Sequence, residues 1–417
     1  MNTKLNFLKT STGSNVPLWT LSMPHSQSVS VGVLVKAGTR DENWPKEAGI
    51  AHALEHMHFQ GTENFPTSRD VSGHIEETGG RLNAWTWKEM TFYHVKVPVF
   101  YSERAVHILS EQLRKSVFPI EKIPVEMKNI VQEIRRKNDT PKNLIWTLSD
   151  EFVYQKHPLS KATLGTEESV LMFTREDFFS FKNRYYHPSN YVFIAVGKIT
   201  QGEALNLFNK YFPEKMEKKP NIYHPQHLEA GKDHWFVKNK DIEQVHLLLS
   251  ALTTAAKEKE VLYIDFFTNM ISGGMSFPLF QEIRDKLGLC YEIWADNTKW
   301  SDIGKFNIYI GTDPKRYKEA IEACSELIEK HKTDEALLEK VKNLKIGEIT
   351  LLYEDTSRII NLAAQDIAFT GLPKDYNQII KEIKEVNIDN IEAVVEKYLN
   401  PNLIFVSILA PKDFSIL

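Results

Sequence analysis

Two stretches lying about half the chain apart are built alike: YYHPSNYVFIAVGK (185–198) and YLNPNLIFVSILAP (398–411). In each, a helix end runs into a proline and an apolar strand follows. The likeness extends upstream. SVSVGVLVKAG (28–38) and EQVHLLLSAL (243–252) both read as strands near the start of a half. EMTFYHVKV (89–97) answers to GKFNIYIGT (304–312), and ERAVHILSEQLRKS (103–116) answers to YKEAIEACSELIEKH (317–331). A Gly-Gly pair, Gly79-Gly80 or Gly273-Gly274, falls in each half, although the two pairs do not align as equivalent elements. Matching element order over this length points to an internal repeat rather than a shared composition. The segment PEKMEKKPNIYHPQHLEAGKDH (213–234) has no apolar period and reads as a linker. The expected fold class is therefore α+β. It has two structurally similar domains, 1–212 and 235–417, each a mixed or mainly antiparallel sheet with helices packed against one side.

Several function classes drop out on charge and composition. A net charge of −4 leaves no basic footprint, so nucleic acid is not an expected partner. No apolar run reaches the length of a membrane span. The N-terminal stretch lacks the apolar core of a signal peptide. The two cysteines, Cys290 and Cys324, cannot make a disulfide framework and suit a reducing compartment. Cytoplasmic location is the expectation.

The chemistry is concentrated in AGIAHALEHMHFQGT (48–62). Small and apolar residues from Gly49 to Met57 read as a buried helix, yet His52, Glu55 and His56 sit among them. Histidines four apart share one helix face. Two imidazoles so placed can bind one Zn²⁺, and a carboxylate beside them can act as general base toward water. His58 falls off that face and reads as a packing residue. The HxxEH pattern is expected by chance only about 0.03 times in a chain of this composition, so coincidence is a poor account of it. Two histidines leave zinc short of a protein ligand. IPVEMKNIVQEIRRKND (123–139) reads as a helix with Pro124 in its first turn. Glu126 and Glu133, two turns apart, project from one side of it. Taken alone, both would be ordinary solvated glutamates.

The spacing changes that reading. HxxEH followed by 76 residues and then Glu133 resembles the signature of the pitrilysin and insulinase-type zinc metallopeptidases. The resemblance implies His52, His56 and Glu133 as ligands of one Zn²⁺ per chain and Glu55 as general base. For Glu126 it implies an orienting role behind the ligands. GGRLNAWTWKEMTFY (79–93) is similar to the family's edge strand, which pairs with the substrate backbone, implying that Asn83 and Ala84 contact substrate. In FPLFQEIRDKLGLCYEI (277–293), Arg284 and Tyr291 resemble the family pair that holds substrate carbonyls. Without the resemblance, these two would read as an ordinary helix arginine and strand tyrosine. Trp85, Trp87 and Phe277 are candidates for pocket walls.

The length resembles the short branch of the family, which includes the mitochondrial processing peptidase subunits and bacterial homologues. One chain carries both the zinc motif and the Arg/Tyr pair, which implies a homodimer. Whether that pair serves its own or the partner's zinc site is left open. The expected activity is a zinc-dependent endopeptidase that cuts extended or unfolded peptides inside a closed chamber. The rival is a non-catalytic scaffold or peptide-binding protein on the same fold, in which such motifs are usually degraded. Here they are intact.

Overall fold

The computed structural model describes residues 5–215, 228 and 233–415. Most of the expected 213–234 linker lies outside them. The chain forms two compact units.

The first unit is built on a six-stranded sheet of β1 (Leu8–Ser11), β2 (Pro17–Ser22), β3 (Ser28–Val35), β4 (Arg81–Thr86), β5 (Thr91–Pro98) and β6 (Tyr191–Gly197). The order is β1-β2-β6-β3-β5-β4, antiparallel except for the β2–β6 pair. Alternation along β3 sends Val29, Val31, Val33 and Val35 into the main core. Joining them there are apolar residues of α1 (Ile50–Met57), α2 (Ser68–Glu76), α3 (Ser102–Lys115) and α4 (Ile123–Asp139).

The second unit holds a five-stranded sheet of β7 (Trp235–Asn239), β8 (Val245–Thr253), β9 (Cys290–Lys299), β10 (Gly304–Thr312) and β11 (Phe405–Ala410). Its order is β7-β11-β8-β10-β9, again with one parallel pair, β11–β7. Strand for strand, β2, β6, β3, β5 and β4 answer to β7, β11, β8, β10 and β9. The parallel pair falls in the same place, so the repeat read in the sequence is a repeat of topology.

Two expectations need correction. Helices do not stop at one side of each sheet, and the compact units are not 1–212 and 235–417. The first unit comprises Met1–Arg135, Lys161–Tyr223 and Thr350–Ile379, and the second comprises the remainder. The cause is an exchange of helices. The helix Thr356–Thr370, late in the sequence, packs on β3, β5 and β6 of the first sheet. The face it covers is partly polar. Ser30 donates to the Thr356 hydroxyl at 2.9 Å, and the Ser28 hydroxyl lies 3.2 Å from it. Conversely α5 (Pro141–Tyr154), from the first half of the sequence, packs on β8 and β11. There Trp146 stacks on Trp294 with ring centroids 5.1 Å apart, and the buried Lys305 ammonium donates to Asp150.

Candidate metal centre

The helix α1 starts under tight backbone constraint. Gly49 caps it at φ +88°, and Gly165 opposite has φ +74°. A Cβ on Gly49 would lie 2.5 Å from the Leu164 carbonyl oxygen, and one on Gly165 would lie 2.2 Å from that of Ala48. Only glycine permits both this conformation and this approach. Gly49 thus precedes the helix rather than belonging to it, as the sequence had suggested. The buried Glu42 carboxylate accepts from the N–H groups of Gly49 (2.9 Å) and Ala51 (3.1 Å), the first orphan donors of the helix. Trp44 Nε1 donates to the same carboxylate at 3.1 Å. Burial pushes the Glu42 carboxyl well above the usual range, against the pull of these bonds. Sequence reading missed Glu42, because it stands before the helix with no recognisable spacing to it.

Held at that angle, α1 presents His52 and His56 to α4. His52 Nε2 lies 3.8 Å and His56 Nε2 3.9 Å from Glu133 Oε2. One ligand atom from each of the three residues falls within 4.8 Å of the others. No other such group of three or more His, Cys, Asp or Glu occurs among the described residues. Tetrahedral zinc with two nitrogen donors and one oxygen donor would set those atoms about 3.3 Å apart, so a small inward movement completes the site. The donor set fits zinc, and three protein donors leave a fourth position over.

Glu126, two turns before Glu133 on α4, lies 3.5 Å from His56 Nδ1. The two ring nitrogens of His56 therefore face two different carboxylates. His56 draws the Glu126 carboxyl below its ordinary range. Burial pulls the His56 imidazole down, but Glu126, Glu55 and Glu133 outweigh it and raise its pKa. Glu55 is partly buried and accepts a bond from the Thr86 hydroxyl on β4. Burial raises its carboxyl, with Thr86 and His56 opposing and Glu133 reinforcing. Thr86 was also missed. Its one signal is alternation, since it lies on the same strand face as Ala84. His58 is fully buried, with Nδ1 2.8 Å from the Tyr93 hydroxyl, consistent with a packing role.

Among the described residues β4 is an edge strand paired only with β5. Ala84 packs against the core on the α1 side, while Asn83 is exposed on the opposite face. The Asn83 side chain accepts from the Ala84 N–H at 2.9 Å. Trp85 and Trp87 do not present free pocket walls. Trp85 Nε1 donates to Asn361 at 2.7 Å, and Trp87 stacks with Phe369, both on the helix Thr356–Thr370. In the second unit Phe277 is buried, beneath the Lys340 ammonium. Arg284 and Tyr291 come together there, the guanidinium carbon 5.2 Å from the tyrosine ring and 4.5 Å from that of Phe280. Tyr291 is 76 % exposed, which leaves its hydroxyl available to a ligand.

The described chain is thus two like α+β units, one of them bearing a helix-borne His–His–Glu cluster that could hold a metal ion. Comparison with known proteins makes the class specific. Residues 19–167 match the family described as Insulinase (Peptidase family M16). Residues 172–345 match the family described as Peptidase M16 inactive domain. An "Uncharacterized zinc protease" of Rickettsia felis is 31 % identical over 395 residues, covering 93 % of this chain and 94 % of that one. The "Uncharacterized zinc protease YmxG" of Bacillus subtilis is 27 % identical over 381 residues, 90 % of this chain and 91 % of that one. The crystal structure of a protease from Helicobacter pylori has the same fold. Its TM-score is 0.89 at 21 % identity, covering 98 % of this chain and all of that one. The chain belongs to the insulinase family of peptidases, family M16. Among the described residues no helix is long and apolar enough to cross a membrane.

Proposed function

We propose that the chain is a zinc-dependent endopeptidase that cleaves extended or unfolded peptides. The observation that carries this reading is the convergence of His52, His56 and Glu133 on one point, with Glu55 on the same helix tied to the edge strand. His52, His56 and Glu133 would hold the ion, which would supply Lewis-acid polarisation of the scissile carbonyl and a lowered pKa for a water at the site. Glu126 fixes the orientation and tautomer of His56 through Nδ1. Glu55 takes the proton of the attacking water and delivers it to the leaving amine. The Thr86 hydroxyl holds the Glu55 carboxylate in place. The outer edge of β4, which pairs with no further strand among the described residues, is where an extended peptide adds as a further strand, past Asn83 and Ala84.

The test is hydrolysis of a long, unstructured, internally quenched peptide before and after metal stripping. Cleavage lost on stripping and restored by zinc supports the reading. A folded, zinc-loaded protein that cleaves no peptide would point instead to a peptide-binding scaffold. We also propose a homodimer, since one chain carries both the zinc residues and the Arg284/Tyr291 pair. Light scattering giving a monomer mass at working concentration would refute it.

A further inference from the structure

Within the first unit a cavity of about 1160 Å³ lies on the sheet face opposite α1. Its walls include the beginning of the edge strand, at Gly79 and Arg81, the end of β5, and the first turns of the helix Thr356–Thr370. The charges facing it are three cations, Arg81, Lys96 and Arg358, and two carboxylates, Glu354 and Asp355. They are not equivalent. Lys96 and Asp355 are paired at 2.7 Å, and Asp355 also caps the helix by accepting from the Ser357 N–H. Arg81 and Arg358 are exposed, and neither makes an ion pair or hydrogen bond among the described residues. Glu354 is exposed and offsets one of them. The remaining balance is positive, at the N-terminal end of a 15-residue helix whose dipole has the same sign.

The position of Arg81 gives this charge a use. A peptide added to β4 places each side chain on the same face as the β4 residue directly opposite. The residue opposite Arg81 therefore turns away from α1, toward the cavity. Glu55 is tied to Thr86 at the other end of the same strand. A peptide residue opposite Arg81 thus stands roughly three to five positions from the bond cut near Ala84–Thr86. We propose that this cavity is a specificity subsite for an acidic side chain of the bound peptide, with Arg81 and Arg358 as its recognising residues. The assignment rests on the peptidase reading above and adds to it the class of substrate preferred.

The experiment uses the zinc-loaded full chain and unstructured, quenched peptides identical except for one position, which carries Asp, Asn or Lys in turn and is scanned outward from the cleavage site. At about 50 mM salt, kcat/KM should favour Asp over Lys by on the order of three- to tenfold at one position, and the ratio should shrink in about 0.5 M salt. In Arg81→Glu/Arg358→Glu the ratio should invert. Because it is a ratio within one enzyme, any general loss of activity cancels. Binding of the same peptides, read by fluorescence anisotropy, separates the two ideas. Cleavage without charge preference at any position overturns the subsite and leaves the peptidase. No cleavage, with Asp peptides still bound more tightly than Lys peptides by the wild type but not by the double variant, overturns the peptidase and keeps the subsite. Neither cleavage nor charge-dependent binding overturns both.

Discussion

His56 lies between two glutamates that serve it differently. Glu133 faces Nε2 and completes the donor set, while Glu126 faces Nδ1 from one side and leaves the metal position untouched. Glu126→Gln keeps the size and loses the charge. It should weaken zinc binding by about 10- to 100-fold, read by competition with a chelating dye, with kcat recovering at high zinc. Unchanged affinity would reduce Glu126 to a solvated helix residue. Glu55→Gln should do the opposite. Zinc content stays at one per chain, because no donor is touched, while kcat falls by on the order of 10²- to 10⁴-fold. Near-normal turnover by that variant would end the general-base assignment. Histidine spacing singled out His56 and Glu55 in the sequence, and the family resemblance added Glu133 and Glu126. Thr86 and Glu42 were not. Their roles depend on where β4 and the chain before α1 lie in space, and a lone threonine or glutamate carries no periodic signal of that.

At the level of elements, β3, β5 and α3 were readable because alternation and helical period are local. The glycine that starts α1 was not, since its positive φ follows from contact with Gly165, far along the chain. Burial on the second face of the first sheet was hidden for the same reason. His94 on β5 is an example. It is buried, stacks on Phe92 at 5.3 Å, and burial lowers its imidazole pKa to about 4. In the unfolded chain the same ring takes a proton near pH 6.5. Between those values the unfolded state binds more protons, so the contribution is complete above about pH 6.5 and lost as pH falls toward 4. The total is up to about 3 kcal/mol. His94→Phe keeps a flat ring against Phe92 and removes the titration. Its thermal midpoint should therefore fall several degrees less than that of the wild type between pH 7 and pH 4.5. Parallel declines would show that His94 is accessible to protons in the folded state.

For the whole molecule, the sequence showed that the chain repeats itself but not that the repeats trade parts. A helix pattern gives which of its faces is apolar, not which sheet that face meets. The exchange makes a direct claim about where the chain can be divided. A fragment of residues 1–215 keeps all six strands of the first sheet yet lacks the helix that covers Ser28, Ser30 and Trp85. A fragment of residues 216–417 lacks α5, which packs over Leu248, Tyr309 and Leu409. Each should be insoluble, or soluble without a cooperative thermal transition, when expressed alone. Co-expressed, the two should purify together and unfold as the intact chain does, because each sheet again has its second layer. Appending Thr350–Ile379 to the first fragment through a flexible linker should restore solubility and cooperative unfolding without the rest of the second half. The outcome that contradicts this account is cooperative unfolding of 1–215 by itself, since the first sheet would then be stable with one face uncovered and the exchanged helix would be an ornament of the fold rather than a layer of it.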